Sequence, residues 1–231
     1  MIKRLIKRGD RIMPDIELFS FEACPYAQRT RMMLIEKGIE YSLTEIDLYN
    51  KPDWWKELSP HGKVPLLRHN GGLVYESRVI NEYLEEVFPE PAMLPENPMH
   101  RAKARIWIDY CDTYLLPALH NLIADRDDDQ KVIRNRESIE EKLLFIEKEG
   151  LRKLGDGPFF MGSNITLVDL QFMPFIERFP CYQELWKASI PIECNRLRAW
   201  IKTMQDQESH KRTSNSFEFH MQRYSKYDKA A

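Results

Sequence analysis

The sequence predicts a mixed α/β domain followed by an all-helical domain. Up to residue 87, strand and helix signals alternate, whereas beyond residue 98 the apolar residues repeat only at helical spacing. Residues 88–98 read FPEPAMLPENP, and their four prolines cannot continue a helix. The change of pattern across this segment sets the domain boundary. The expected domains are an extension at 1–14, an α/β domain at 15–90, a linker at 91–98 and an all-helical domain at 99–231.

The α/β half shows the order β-α-β-α-β-β-α. Period-two alternation indicates strands, and the 3.6-residue period indicates helices. A right-handed crossover between the first two strands would then give one mixed sheet with helices packed on it. The elements are a strand at 16–21, a helix at 25–37, a strand at 41–48, a short helix from Pro52, a hairpin at 64–77 that turns at 70–72, and a helix that Ser77 caps.

The second half is predicted to contain at least four helical segments, and two of them carry an internal proline. Pro117 and Pro174 should kink or break those two helices. Thr166 and Asp169 have the spacing of a capping box, with Asp in place of the usual Glu or Gln. The segments lie at roughly 99–125, 131–154, 166–179 and 193–206.

Composition excludes several classes of partner. The chain has 231 residues and a formal net charge of −2, which gives no basic excess for nucleic acid. No stretch approaches the about 20 apolar residues of a membrane-spanning helix. The basic N-terminus, MIKRLIKRGDR, has too few apolar residues for a secretory signal, so we expect a solvated extension. The four cysteines show no metal-ligand spacing and no disulfide framework, which predicts no metal and a cytoplasmic location.

One cysteine stands at the predicted start of a helix, in the segment FEACPYAQRT at 21–30. A cysteine that only fills space has no need of such a position. A thiolate is stabilised there by the N–H groups and the dipole of the helix. Cys24 is therefore the candidate nucleophile.

Four short motifs lie in register in the α/β half: CPYAQRTR, NKPDWW, VPLL and YESRVINEYLEE. Their order and spacing resemble the glutathione transferase superfamily, and more narrowly its omega class, which carries a cysteine where most classes use Tyr or Ser. The helical half is similar only in layout and in the segment NITLVDL. The resemblance implies a thioredoxin-like domain followed by an all-helical domain, glutathione as co-substrate and a homodimer.

The same resemblance implies the residues that contact glutathione. A strand beside a cis Val64–Pro65 bond can pair with the cysteinyl backbone. Glu76 and Ser77 stand at a helix start, where they can bind the γ-glutamyl carboxylate and ammonium groups. Lys51 can meet the glycyl carboxylate as a point charge. The full predicted set is Cys24 as the catalytic thiol, with Tyr26, Leu48, Lys51, Val64, Pro65, Glu76 and Ser77 around glutathione.

A cysteine in this position exchanges disulfides with glutathione, whereas a hydroxyl would only activate its thiol. Ala27 occupies the place of a second cysteine in a C-x-x-C motif, so a monothiol cycle is expected. The predicted activity is thiol transfer and reduction of disulfides, dehydroascorbate or glutathionyl ketones through a Cys24–glutathione mixed disulfide. The partners are glutathione and a small electrophilic or disulfide substrate.

The pocket for the second substrate is expected between the two halves. Aromatic residues at helical spacing are more often core, so the candidates rest on position alone. They are Tyr110, Cys111, Tyr114 and Trp186, while Cys181 and Cys194 are expected to be structural thiols.

Two other classes share this layout. Stringent starvation proteins bind RNA polymerase without catalysis and resemble the segment ESRVINEYLEEVFPEP, but they lack a cysteine at the position of Cys24. Intracellular chloride channel proteins are proposed to insert their first helix into membranes, which the charges at Arg29, Arg31, Glu36 and Lys37 make costly here. Lambda-class transferases and dehydroascorbate reductases stay open as sister classes.

Overall fold

The structure, a computed structural model, describes residues 7–8, 11–12 and 16–227. Two short strands, β1 (Lys7–Arg8) and β2 (Arg11–Ile12), pair antiparallel. The remainder of the predicted extension at 1–14 lies outside the described residues. The chain divides into two compact units, of which the first ends at Pro91 and the second begins at Ala92.

The first unit has the predicted order of strands and helices, which is thereby confirmed. The strands are shorter than the sequence predicted, because their apolar alternation continues into the flanking turns. The elements are β3 (Ile16–Ser20), α1 (Pro25–Glu36), β4 (Ser42–Glu45), α2 (Trp55–Leu58), β5 (Leu66–His69), β6 (Gly72–Tyr75) and α3 (Ser77–Val87).

These strands form one mixed sheet of order β4-β3-β5-β6. β3 runs parallel to β4, with Leu18 opposite Leu43, and antiparallel to β5, with Leu18 opposite Leu67. Asn70 and Gly71 both have positive φ and form the hairpin turn between β5 and β6, as predicted. On one side of the sheet a buried cluster joins Phe19, Ala27, Ile46, Trp55, Val64 and Leu66. This cluster fixes the start of α1 against the sheet.

A buried lysine holds the ends of α1 and α3 together. The Lys37 ammonium donates to the backbone oxygens of Phe88, at 2.6 Å, and Pro91, at 2.7 Å. It also lies 2.5 Å from the Glu85 carboxylate. Its side chain is fully buried, so all of its hydrogen-bonding capacity is used inside the unit.

Ser77 does not cap α3, which corrects the sequence prediction. The residue at the cap position is Glu76, whose φ of 68° lies in the left-handed region, and no side-chain hydrogen bond caps this helix within the described chain. Ser77 is instead the first helical residue and is 5% exposed. Its hydroxyl is therefore available for contacts other than the backbone of its own helix.

The second unit is helical throughout, as predicted. Two of its helices pass into five- or six-residue π-helical turns, at Cys111–Leu115 and Ile146–Leu151. The α-helices are α4 (Pro98–Tyr110), α5 (Leu116–Ala124), α6 (Asp129–Phe145), α7 (Leu167–Ile176), α8 (Phe179–Trp186), α9 (Asn195–Gln205), α10 (Glu208–Thr213) and α11 (Phe217–Tyr224), with a final 3₁₀ turn at Ser225–Tyr227.

The two internal prolines act differently. Pro117 lies in the first turn of α5, directly after a π-helical turn, so the predicted helix at 99–125 changes its hydrogen-bond pattern there but remains helical. Pro174 is contained within α7, which ends two residues later. The sequence did not predict α8, α10 or α11, and Pro180 in the first turn of α8 was the available signal for α8.

Buried carboxylates close the starts of two helices in this unit. Asp169 accepts hydrogen bonds from the backbone N–H groups of Phe160 and Thr166, the Thr166 hydroxyl and the Trp200 indole, all at 2.7–2.8 Å. The predicted capping box of α7 is thus confirmed. Burial raises the pKa of Asp169, while these four donors act in the opposite direction. Glu147 likewise accepts from the N–H groups of Arg196 and Leu197, at the start of α9.

Candidate functional site

The predicted catalytic cysteine and all seven residues predicted around glutathione line one cleft of about 410 Å³ in the first unit. The cleft is formed by the start of α1, the end of β4 with its following loop, the loop before β5 and the start of α3. Its lining consists of Cys24, Tyr26, Leu48, Lys51, Val64, Pro65, Glu76 and Ser77, together with Ser59, Pro60, His61, Gly62, Lys63 and Tyr75.

Cys24 occupies the cap position of α1 in an extended conformation. Its N–H donates to the Phe21 oxygen at 2.8 Å, and its carbonyl accepts the first helical bond from Gln28 at 3.0 Å. Its thiol is half-buried and donates to the Val64 oxygen at 3.8 Å. Pro25 in the first turn removes a donor that the helix could not use and fixes the chain for helix entry. The thiol therefore lies at a helix N-terminus with one face on the cleft.

The opposite wall is the chain around the Val64–Pro65 peptide bond, which is cis as the sequence predicted. The loop before it is closed by Ser59, whose hydroxyl donates to the Lys63 oxygen and accepts from the Lys63 N–H, both at 3.0 Å. Gly62 has a φ of 61°, and a Cβ there would lie 3.5 Å from the Lys51 Nζ. The Lys51 ammonium thus lies next to Gly62 at this wall of the cleft.

The third wall is the turn from β6 into α3. Glu76 is exposed and Ser77 is buried, and both line the cleft. Behind them lies Arg29 of α1, whose Nη1 is 3.5 Å from the Ser77 Oγ. A carboxylate bound here would face the hydroxyl and the N-terminal end of α3, both of which favour an anion.

Six lining residues were missed by the sequence reasoning. Five of them, Ser59 to Lys63, form the loop that precedes Val64, and Tyr75 precedes Glu76. The signal for them was adjacency, because both the Val-Pro and the Glu-Ser motifs must be presented by neighbouring backbone. His61 and Tyr75 also contact each other, with ring centroids 5.8 Å apart.

The other three cysteines lie outside this cleft and are buried, and none of the four is in a disulfide. Burial raises the pKa of Cys181 to about 11 and that of Cys194 to about 11. Cys111 donates to the Gln171 oxygen at 3.6 Å in the interior of the second unit. Their surroundings agree with structural roles.

The four candidates for the second substrate's pocket do not form one cluster. Tyr110 and Tyr114 stack, with ring centroids 5.1 Å apart, and burial raises the pKa of Tyr110. Cys111, which lies between these two tyrosines in the sequence, is fully buried. Trp186 lies in another cluster, with Tyr182 and Tyr224. A pocket made by these residues stays a prediction.

Two further properties bear on the chemistry of the chain. Within residues 7–8, 11–12 and 16–227, no group of three His, Cys, Asp or Glu side chains is arranged to hold a metal ion. None of the helices in the described part is long and apolar enough to cross a bilayer.

Comparisons with known proteins place this cleft in a known class. Residues 23–87 match the family described as "Glutathione S-transferase, N-terminal domain". Glutathione S-transferase U19 of Arabidopsis thaliana is 34% identical over 197 residues, which cover 84% of this chain and 87% of that protein. The chain belongs to the glutathione S-transferase family.

Similar solved structures come from more than one class. Glutathione transferase Omega 3C from Trametes versicolor has a TM-score of 0.82 at 29% identity and covers 92% of this chain and 90% of its own. A Tau-class glutathione S-transferase from mango, Mangifera indica, has a TM-score of 0.85 at 28% identity over 92% and 98% of the two chains. The fold prediction, a thioredoxin-like domain plus a helical domain, is confirmed. Because the sequence relatives include Tau-class plant proteins, the resemblance holds for the superfamily and is not specific to the omega class.

Proposed function

We propose that this chain is a cysteine-type glutathione transferase that acts mainly as a glutathione-dependent thiol transferase and reductase. One observation carries the proposal. Cys24 is the single cysteine of the four that is not buried, and it lies at a helix N-terminus on the cleft that holds every residue predicted to contact glutathione. Helix N-termini favour the thiolate, which is the nucleophilic form.

The reaction proceeds in two exchanges. The Cys24 thiolate attacks the glutathione sulfur of a mixed disulfide RS–SG, which forms Cys24–SG and releases RS⁻ to take up a proton. The thiolate of a second glutathione then attacks the Cys24–SG bond, which releases the Cys24 thiolate and yields glutathione disulfide. In sum, RS–SG and GSH become RSH and GSSG.

The monothiol form of this cycle is supported by what surrounds Cys24. Ala27, one turn into α1, is fully buried and has no group that could resolve the mixed disulfide. The remaining thiols belong to the second unit, two of them with a pKa of about 11. Glutathione itself therefore resolves the intermediate. Dehydroascorbate and glutathionyl ketones are further substrates of the same two-electron chemistry, and the cytoplasm supplies reduced glutathione.

We also propose a homodimer. Leu73 and Tyr75 of β6 and Val79 of α3 are 40–52% exposed on neighbouring elements of the first unit, which is apolar surface that a second copy could cover. Light scattering at micromolar concentration should return about twice 27.6 kDa. A mass near 27.6 kDa would reject the dimer.

Conjugation of glutathione to an electrophile is the second candidate reaction, because the chain's relatives are named glutathione S-transferases. The two reactions require different groups at residue 24, because disulfide exchange needs a nucleophilic thiolate there. Conjugation benefits from a hydroxyl that donates a hydrogen bond to the glutathione thiolate, and a cysteine thiolate cannot donate one.

The test is to assay both reactions on the wild type and Cys24→Ser at matched glutathione concentration. Disulfide and dehydroascorbate reduction should be lost, whereas aryl-halide conjugation should persist or rise. Cys194→Ser is the matched control, because it makes the same substitution at a buried cap position where Ser is well tolerated, and it should leave both rates unchanged. Equal loss of both reactions in Cys24→Ser would reject the exchange mechanism.

A further inference from the structure

Arg29 is an arginine of α1 that reaches the cleft from behind. The residue is 1% exposed. Its Nη1 lies 3.5 Å from the Ser77 Oγ, and its Cζ lies 5.1 Å from the centroid of the Tyr26 ring. Ser77 and Tyr26 both line the cleft, so one guanidinium contacts two of its walls.

The backbone of the same residue joins the two helices a second time. The Asn81 side chain of α3 donates to the Arg29 carbonyl at 3.4 Å. The side chain of Arg29 thus connects α1, which carries the thiol, to the first residue of α3, and its backbone connects α1 to the next turn of that helix. Arg29 is therefore one of the residues that set the position of Ser77 relative to Cys24.

Burial of a guanidinium is costly, and an apolar side chain would fill the same space without that cost. The guanidinium has five N–H donors and cannot accept a hydrogen bond. When it donates to the Ser77 oxygen, the hydroxyl proton is directed away from Arg29 and can be donated to a bound carboxylate. Its positive charge lies behind the N-terminal end of α3 and adds to the attraction for an anion.

We propose that Arg29 is a positioning and specificity-determining residue of this cleft. It orients the Ser77 hydroxyl as a donor and supplies buried positive charge, so that the cleft selects ligands whose far end carries a free carboxylate, as the γ-glutamyl end of glutathione does. The proposal rests on the proposed function for the presence of glutathione in the cleft. It assigns the recognition of one ligand group to a residue that does not itself line the cleft.

Arg31 provides a matched control on the same helix. It is 6% exposed and lies two residues from Arg29. Its guanidinium donates to the Ser20 hydroxyl and the Glu22 oxygen, and it lies 3.7 Å from the Glu45 carboxylate. Arg31 contacts β3 and the end of β4 and does not line the cleft. Its replacement removes an equally buried arginine without touching Ser77.

The experiment compares two ligands by calorimetry. One is glutathione, and the other is 4-aminobutyryl-cysteinyl-glycine, which lacks only the α-carboxylate of the γ-glutamyl end. The measured quantity is the ratio of their dissociation constants, because a general loosening of the cleft weakens both ligands and leaves the ratio unchanged. In Arg29→Met the preference for glutathione should fall at least about tenfold, since hydrogen bonds to charged groups are the strong ones. Arg29→Lys should restore part of the preference, and Arg31→Met should leave it as in the wild type.

Ser77→Ala gives a second measurement that does not depend on the folding of the Arg29 variants. It removes the oxygen to which Arg29 donates, so the preference for glutathione should again fall. An unchanged ratio in Arg29→Met, or in Ser77→Ala if Arg29→Met does not fold, overturns the proposal. A wild type that binds neither ligand would instead reject the proposed function, so the two failures are distinguishable.

Discussion

The two helices that begin at the cleft, α1 and α3, start differently from α7 and α9 of the second unit. In the described chain, no side-chain hydrogen bond caps α1 or α3, whose cap positions hold Cys24 and Glu76. In the second unit, Asp169 accepts four hydrogen bonds, two of them from Thr166 at the start of α7, and Glu147 accepts two N–H groups at the start of α9. The first N–H groups of a helix need an acceptor from outside the helix, which Glu147 provides at α9, whereas α1 and α3 begin at residues that line the cleft.

This difference between the helix starts distinguishes residues that stabilise the fold from residues that can bind a ligand. A buried charge whose partners are all internal stabilises the unit and has nothing left for a ligand. A helix start without a side-chain cap, on an open cleft, has hydrogen-bonding capacity for an anion or a thiolate. Substitution of a buried charge with internal partners should change the free energy of unfolding. Substitution at a helix start on the cleft should change glutathione binding or the reaction.

The largest loss of stability is expected for Asp169→Ala. The substitution leaves four buried donors without an acceptor and opens a cavity, so the free energy of unfolding should fall by about 4 kcal/mol or more. Urea unfolding followed by tryptophan fluorescence measures it. Asp128→Ala is the matched control, because Asp128 caps α6 with an exposed carboxylate that accepts from the Lys131 N–H, and it should cost only about 1 kcal/mol. Equal losses in the two variants would show that burial does not set the cost.

The next largest loss of stability is expected for Lys37→Met. This substitution removes a buried structural charge from the unit that also contains the cleft. Three acceptors around a fully buried ammonium lose their donor, so the free energy of unfolding should fall by about 3 kcal/mol. Glutathione affinity, measured well below the unfolding transition, should stay unchanged. Lys153→Met, at an exposed pair with Glu149, should cost less than about 0.5 kcal/mol. A loss of affinity in Lys37→Met would contradict the division between the two kinds of charge.

A smaller effect on stability is expected for Ser77→Ala. If Ser77 capped α3, its loss would cost about 1 kcal/mol. Because Ser77 is the first helical residue and makes no capping bond, we expect less than half of that, together with at least about a tenfold loss of glutathione affinity. Thermal unfolding and calorimetry on the same preparation measure the two quantities. A lower melting temperature with unchanged affinity would make Ser77 a structural residue only.

The cleft was more predictable from the sequence than the helical unit, for a physical reason. Cys24 and Glu76 are helix cap residues and Lys51 and Val64 lie in loops, where turns, prolines and caps leave local signals in the chain. Arg29 gave no such signal, because its contacts with Ser77 and Tyr26 depend on how α1 packs against α3. A charge within a helical pattern is normally solvated, and only the packed structure shows that this one is buried.

The helical unit was predicted in outline and missed in detail. The contact between Glu147 and the start of α9 joins residues about fifty positions apart, which no local pattern encodes. The short helix α11 depends on similar distant contacts, since the Glu177 carboxylate accepts from the Asn215 N–H at 3.1 Å and lies 2.7 Å from the His220 Nε2. Helices of six to eight residues are marginal on their own, so tertiary contacts rather than propensity decide whether they form.

The last prediction concerns the reactivity of the four thiols and involves no change in stability. Native protein treated with iodoacetamide at pH 8 should take up one equivalent, at Cys24, because alkylation requires an accessible thiolate. A pKa of about 11 keeps Cys181 and Cys194 protonated at pH 8, and their thiolates would form only as the pH rises through that value. Cys111 is fully buried and so is also out of reach of the reagent. Intact-mass spectrometry counts the adducts, urea-unfolded protein should take up four, and native Cys24→Ser should take up none. A second adduct formed on the native protein as fast as the first would mean that a buried thiol is as reactive as the one on the cleft, and position at an uncapped helix start would then not explain the chemistry of Cys24.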